Sequence, residues 1–318
     1  MADGTKDADK WTATVGTNSN AQTLPVGELN KGNAVTLTYG GRLKVKSVTA
    51  THDYGPLATP LTIEAVTPGT IVVGIGGTLS SGMKYSVNGG DKVTIKTTTP
   101  IEGLKAGDKV QFYGNGTSTQ VYGNSPLVSI LGGGDGFQTK VYGNIMSLLD
   151  ETGFASKTDL PNDRFVFRRL FRGNATLIDA SELLLPAETL TPGCYFAMFE
   201  GCTSLTKAPK LPAMTLAELC YYYMFYGCTS LTSAPKLPAT TLASECYECM
   251  FMSCTSLTNA YVKAAYIEES VECLSMFDGC TATGAVLHTT PGSKESWEAK
   301  MGSGKTWSTW SVADDWQD

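Results

Sequence analysis

MFEGCTSLTKAPKLPAMTLAELCYYY (residues 198–223) is followed without a break by MFYGCTSLTSAPKLPATTLASECYEC (residues 224–249), and the two stretches agree at 19 of 26 positions. The Met-Phe pairs Met198-Phe199, Met224-Phe225, Met250-Phe251 and Met276-Phe277 recur at an unbroken period of 26. Leu170-Phe171 stands 28 residues before Met198 and heads a degenerate copy, LFRGNATLIDASELLLPAETLTPGC. A fixed period of this size is the mark of units that stack, because no single unit can bury its apolar face alone.

Inside a copy, LTKA or LTSA reads as a short strand after the turn-like GCTS. The strand is expected to stop at Pro209 or Pro235, which lack the amide hydrogen a ladder needs. TLASECYECMFMSC reads as a helix capped by Thr241, with Leu242, Cys246 and Met250 along one face. Each copy is thus expected to be strand, extended crossing and helix, and the stack a solenoid. Identical positions then form columns: Leu205, Leu231 and Leu257; Phe199, Phe225, Phe251 and Phe277; Tyr195, Tyr221 and Tyr247.

Upstream the texture differs. WTATV, AVTLTY and LKVKSVTAT are rich in Val and Thr, with Gly40-Gly41 turning between the last two. YGPLATP (residues 54–60) reads as a linker. LTIEAV, TIVVGI, KYSV, KVTIKT, KVQFY and LVSIL then follow as short strands. Asn88-Gly89 in KYSVNGGDKVTIKT is a strong hairpin signal, and KVTIK alternates, so that Val93 and Ile95 are expected on a buried face. The expected fold is multidomain α+β. Its parts are a flexible start (1–10), a small β module (11–58), an immunoglobulin-like β-sandwich (59–148), a solenoid (149–285) and a C-terminal cap (286–318). Trp297, Trp307 and Trp310 suit that cap, since a last coil otherwise exposes its apolar seam.

The GCTSLT turn, the Pro-flanked apolar segment and the CYxxMF ending, preceded by a VYGNIMSLL junction, resemble the BspA-type leucine-rich repeats of gut Bacteroidetes surface proteins. The resemblance covers about residues 59–285. It implies a right-handed leucine-rich repeat solenoid and a role in extracellular contact or adhesion toward host protein or glycan. Two departures stand out. The first copy has Val166 and Asn174 where later copies have cysteine, and the copy from Met250 onward lacks the prolines.

The 318 residues carry 24 Lys and Arg against 30 Asp and Glu, a net charge of −6, which argues against a nucleic-acid partner. No apolar run reaches the ~18–20 residues of a membrane span. The start, MADGTKDADK, shows no signal peptide. Two settings stay open: an exported surface protein whose signal and lipid anchor have been removed, or a chain made in the cytosol, such as a structural or receptor-binding part of a bacteriophage virion.

Nine cysteines are present, and eight fall in two repeat-phased columns: Cys194, Cys220, Cys246, Cys273 and Cys202, Cys228, Cys254, Cys280; Cys249 is extra. The lone Cys246-Tyr-Glu-Cys249 lacks a partner pair and a nearby His, so metal is not expected. A disulfide framework is not demanded by this phasing, and thiols packed as small apolar groups is the reading. GSGKT (residues 302–306) imitates a phosphate loop, yet Ala299 stands where the motif requires Gly. His52 and His288 have no paired nucleophile motif, and the adjacent Glu268 and Glu269 face different ways. No enzyme and no cofactor is expected.

Two surface features are candidates for recognition. RFVFRRLFRG places Arg164, Arg168 and Arg172 four apart, reading either as a cationic patch that meets an acidic glycan or anionic surface, or as the wet face of a capping helix. Tyr222, Tyr223, Tyr226 and Tyr261 sit where the copies differ. Such positions on a stack point outward, and exposed tyrosine suits sugar or protein contact equally.

Overall fold

The structure, a computed structural model, describes residues 10–16, 21–28, 47–53, 55–75, 83–96, 98–114, 128–266, 273, 275–301 and 309–317. The AVTLTY strand, the Gly40-Gly41 turn, GSGKT, Glu268-Glu269 and Trp307 lie outside those residues. The chain divides into two compact units, 1–58 and 59–318. The first contains an antiparallel sheet of β1 (Lys10–Gly16), β2 (Ala21–Glu28) and β3 (Ser47–Asp53), with β1 in the middle.

The second unit begins with β4 (Thr62–Ala65), β5 (Gly69–Ile75), β6 (Lys84–Val87), β7 (Val93–Thr94), β8 (Thr99–Leu104), β9 (Lys109–Tyr113), β10 (Val128–Gly133) and β11 (Thr139–Asn144). They form one sheet in the order β10-β5-β8 and a second that runs β11-β4-β9-β6-β7. Asn88 (φ 53°) and Gly89 (φ 72°) turn β6 into β7, the positive φ values that this dipeptide tolerates. The alternation expected in KVTIK holds only for Ile95, which is fully buried; Val93 is 47% exposed. Val93 lies on the two-residue β7, at the edge of the sheet.

The second sheet does not end at β11. β12 (Leu177–Leu184), inside the degenerate first copy, pairs with β11 in parallel. Residues 59–148 and 149–318 are therefore one compact unit. Beyond β12 come β13 (Ser233–Leu237), β14 (Asn259–Val262), β15 (Val286–His288) and β16 (Ser311–Ala313), a parallel four-stranded sheet in chain order that runs from the copies into the C-terminal segment. β13 runs through Pro235 instead of stopping there. Its register to β14 shifts between Ser233 and Lys236, so the missing amide hydrogen falls in the irregularity.

The expected fold class needs correction. The protein is mostly β, and its single α-helix among the described residues, α1 (Pro291–Met301), lies after the last copy. The repeats are not a strand-plus-helix solenoid, and the segments read as helix, including TLASECYECMFMSC and RFVFRRLFRG, are successive turns. The backbone shows why. Three columns of residues four apart take left-handed φ: Phe165, Gly193, Leu219 and Glu245; Arg169, Ala197, Tyr223, Cys249 and Ser275; Gly173, Gly201, Gly227, Ser253 and Gly279. A left-handed residue every fourth position breaks an α-helix. Alternate amides instead point along the stack: Ala197, Phe199 and Gly201 donate to Tyr222, Met224 and Tyr226, and Tyr223, Phe225 and Gly227 donate to Glu248, Met250 and Met252. The intervening amides bond three residues back within their own copy, as Met198 does to Tyr195 and Cys202 to Phe199. Each strained non-glycine residue costs roughly 1 kcal/mol or more, which the shared bonds and packed columns offset.

The apolar columns carry the packing. Phe171, Phe199, Phe225, Phe251 and Phe277 are fully buried, with successive ring centroids 5.3, 5.4, 5.5 and 5.8 Å apart. Phe167, Tyr195, Tyr221 and Tyr247 stack similarly at 5.8, 5.9 and 6.1 Å. All nine cysteines are buried, and none forms a disulfide. In one column each thiol donates to the phenylalanine carbonyl of the copy before: Cys202 to Phe171, Cys228 to Phe199, Cys254 to Phe225 and Cys280 to Phe251, at 3.0 to 3.2 Å. Burial pushes the thiols of Cys194, Cys202 and Cys280 up to about 12.

At the first copy there is no preceding phenylalanine, and β10 takes its place. The Ile130 amide donates to Leu170 O at 2.7 Å, as each phenylalanine amide does to the methionine of the next copy. Asn174, in the cysteine column, donates its Nδ2 to Ile130 O at 3.1 Å. One strand of the β module thus imitates a missing repeat. At the far end, Trp297 on α1 and Trp310 lie against Phe277, with centroids 6.2 and 5.1 Å away, and the Trp297 Nε1 donates to Ala264 O at 3.0 Å.

Candidate functional site

The copies are alike where they face one another and different along the outer edge of the turn segments. Three of the four tyrosines singled out in the sequence meet on that edge. Tyr222 stacks on Phe196 at 4.9 Å, its neighbour in the preceding copy. Tyr223 meets Tyr222 edge-on at 4.3 Å, and Tyr226 meets Tyr223 at 5.3 Å. All three are half-buried. Burial raises the Tyr222 phenol above its ordinary value; the hydrogen bond with Tyr222 and then burial raise Tyr223 further. Tyr261 is not part of this cluster. It lies on β14, parallel to the His288 ring at 4.5 Å, and His288 Nδ1 is 2.8 Å from an Asp315 carboxylate oxygen.

The arginines join the same edge at its N-terminal end. They sit on turns, so the i, i+4 helical face expected for them does not exist; the stack brings each one beside a different column. The Arg168 guanidinium lies 4.9 Å from the centroids of both Phe165 and Phe196, continuing the line of Phe196 and Tyr222. Burial, then the charges of Arg169 and Arg172, lower Arg168 from the usual arginine value. Arg164 pairs with Glu218 at 3.2 Å on the surface, which is worth little in water. Arg172 bonds Glu200 at 2.8 Å, and that bond raises its proton affinity.

Arg169, inside RFVFRRLFRG, belongs to this surface, and so do Phe196 and Glu200, which no motif marks. The signal that finds these two is the column. Arg168, Phe196, Tyr222 and Glu248 occupy one repeat position, and Arg172, Glu200, Tyr226 and Met252 another, with a different residue in every copy. Such variation is incompatible with a packing role, which requires the same shape each time.

Among the described residues, no cluster of three or more His, Cys, Asp or Glu is placed to hold a metal ion, and no helix is long and apolar enough to cross a membrane. The Cys246 and Cys249 thiols are both buried. No protein-family model, no curated protein and no solved structure matches the chain.

Proposed function

We propose that the protein is a non-catalytic, cell-surface binding or adhesion protein whose repeats contact a host or surface protein or a glycan. The observation that carries this reading is the contiguous outer edge of Arg168, Phe196, Tyr222, Tyr223 and Tyr226. Aromatic side chains that are flat, rigid and polar at the tip are the residues most often found at energetic centres of recognition surfaces. Here they occupy variable columns on an otherwise repetitive frame. The resemblance to BspA-type surface proteins supports the same role.

A glycan and matrix-protein array with the intact chain, and with Tyr222, Tyr223 and Tyr226 changed to Ala, tests the proposal. A ligand whose binding falls at least ~10-fold in the triple variant supports it; binding that ignores the three tyrosines removes the assigned surface. A second reading, a structural component of a bacteriophage virion, draws on nine cysteines without a disulfide, which suit assembly in a reducing cytosol. Fractionation of the native cell separates the two, by placing the protein on the surface or in released particles.

A further inference from the structure

At the N-terminal end of the aromatic edge, where β10 meets the first two copies, a cleft of about 350 Å³ opens. That is at the lower end of the ~300–1,000 Å³ range of small-ligand sites. Ser129 and Leu131 of β10 form one wall, and Arg169, Arg172, Gly173 and Glu200 the other. The Ile130 amide and carbonyl are taken by Leu170 and Asn174, so β10 is held in place and its Ser129 and Leu131 are turned to the cleft. Gly173 has left-handed φ (74°), and a Cβ built there would meet nothing within 4 Å, so open space lies above its backbone.

The charge in this cleft is unbalanced. Arg172 is paired with Glu200. Arg169 has no carboxylate partner among the described residues, and its Nε is buried with no hydrogen-bond partner there. Two guanidinium groups against one carboxylate leave one positive charge, on a chain whose total is −6. A guanidinium held in a walled site is built to grip an oxyanion through paired N–H donors.

We propose that this cleft binds the oxyanion of an acidic glycan, a sugar carboxylate or a sulfate ester, with Arg169 as the gripping residue and the adjoining sugar ring passing over Tyr226. This rests on the reading of the chain as a binding protein and names its ligand class. A sugar, rather than a peptide, fits because Tyr226 follows Glu200 in the same column, one copy on. The cleft therefore leads directly onto the three-tyrosine surface, whose flat rings with polar tips match the mixed faces of a sugar.

Calorimetric titration of the full chain with a glucuronate oligosaccharide, a 6-sulfated glucose oligosaccharide and the neutral glucose oligosaccharide of equal length tests the assignment. One or both acids should bind at least ~10-fold more tightly than the neutral sugar, in keeping with a charge-assisted contact. Binding of either acid alone identifies the source of the oxyanion. Arg169→Gln should weaken that binding about tenfold or more, and Arg169→Lys less, with the unfolding midpoint unchanged. Leu131→Glu, which puts a carboxylate on the opposite wall, should weaken it likewise if Arg169→Gln does not fold. Equal affinity for the neutral sugar, no binding of either acid, or full affinity in both variants overturns the proposal. So does tighter binding of a peptide with a free terminal carboxylate. A ligand found on the array that needs the tyrosines but not Arg169 would overturn the cleft assignment alone and leave the proposed function standing.

Discussion

Asn174 is the joint between the β module and the repeats, and replacing it tests whether β10 acts as a repeat. The side chain is 2% exposed. Its Nδ2 donates to Ile130 O at 3.1 Å, and its Oδ1 accepts from the Thr176 amide at 3.0 Å and the Thr176 hydroxyl at 2.8 Å. Asn174→Ala removes three bonds worth about 1 kcal/mol each and leaves the Ile130 carbonyl and the Thr176 amide without these partners, a loss of about 3 kcal/mol in all. Asn174→Asp keeps the acceptor but turns a carboxylate oxygen toward the Ile130 carbonyl, so at neutral pH it should cost more than Ala. Burial raises the folded-state pKa of the introduced carboxyl above its unfolded value of about 3.9. The extra penalty is then absent below the unfolded pKa, where the carboxyl is protonated in both states, and grows as pH rises from there to the folded pKa. Urea unfolding at about pH 3 and pH 7, with amide exchange at Ile130, checks both parts. The Ile130 amide, bonded to Leu170 O, should lose protection in both variants. An Ala variant within about 0.5 kcal/mol of the parent, or an Asp variant as stable as Ala at pH 7, would refute the view that β10 stands in for a repeat.

Phe225 lies in the middle of its column with rings 5.4 and 5.5 Å on either side, so Phe225→Ala should cost about 3–5 kcal/mol in urea unfolding. A thiol reagent should find the nine buried cysteines unreactive in the native protein and all nine reactive in denaturant, as counted by released chromophore. Stability should fall steeply with alkaline pH. Cys194, Cys202 and Cys280 are held up to about 12 when folded, whereas an unfolded thiol titrates at about 8.5. Their stabilising contribution is complete below the unfolded pKa and is lost as pH rises toward the folded one. These three thiols alone give a slope of roughly 4 kcal/mol per pH unit between those limits, measurable as a falling urea midpoint between pH 8 and 10.

The columns of Phe199, Phe225, Phe251 and Phe277, and of Cys202, Cys228, Cys254 and Cys280, were legible in the chain because stacking forces like against like. A residue that must match its neighbour above and below has to recur at the period. The outer tyrosines were legible for the converse reason, since Tyr222, Tyr223 and Tyr226 stand where no such match is enforced. The helix expected in each copy does not form. Leu242, Cys246 and Met250 have helical spacing, but a stack that draws every other amide toward the next copy leaves an α-helix without its internal bonds. Local spacing cannot distinguish an amide that bonds within its own turn from one that bonds a residue 25 positions on. The same limit hid Asn174 and Ile130, 44 positions apart, and the separation of Tyr261 from the other tyrosines. It also hid the cleft in which Arg169 faces β10. Repetition is written in the sequence because identical copies pack; the direction of the backbone hydrogen bonds, and the residues joined across different modules, exist only once the copies are stacked and their ends are closed.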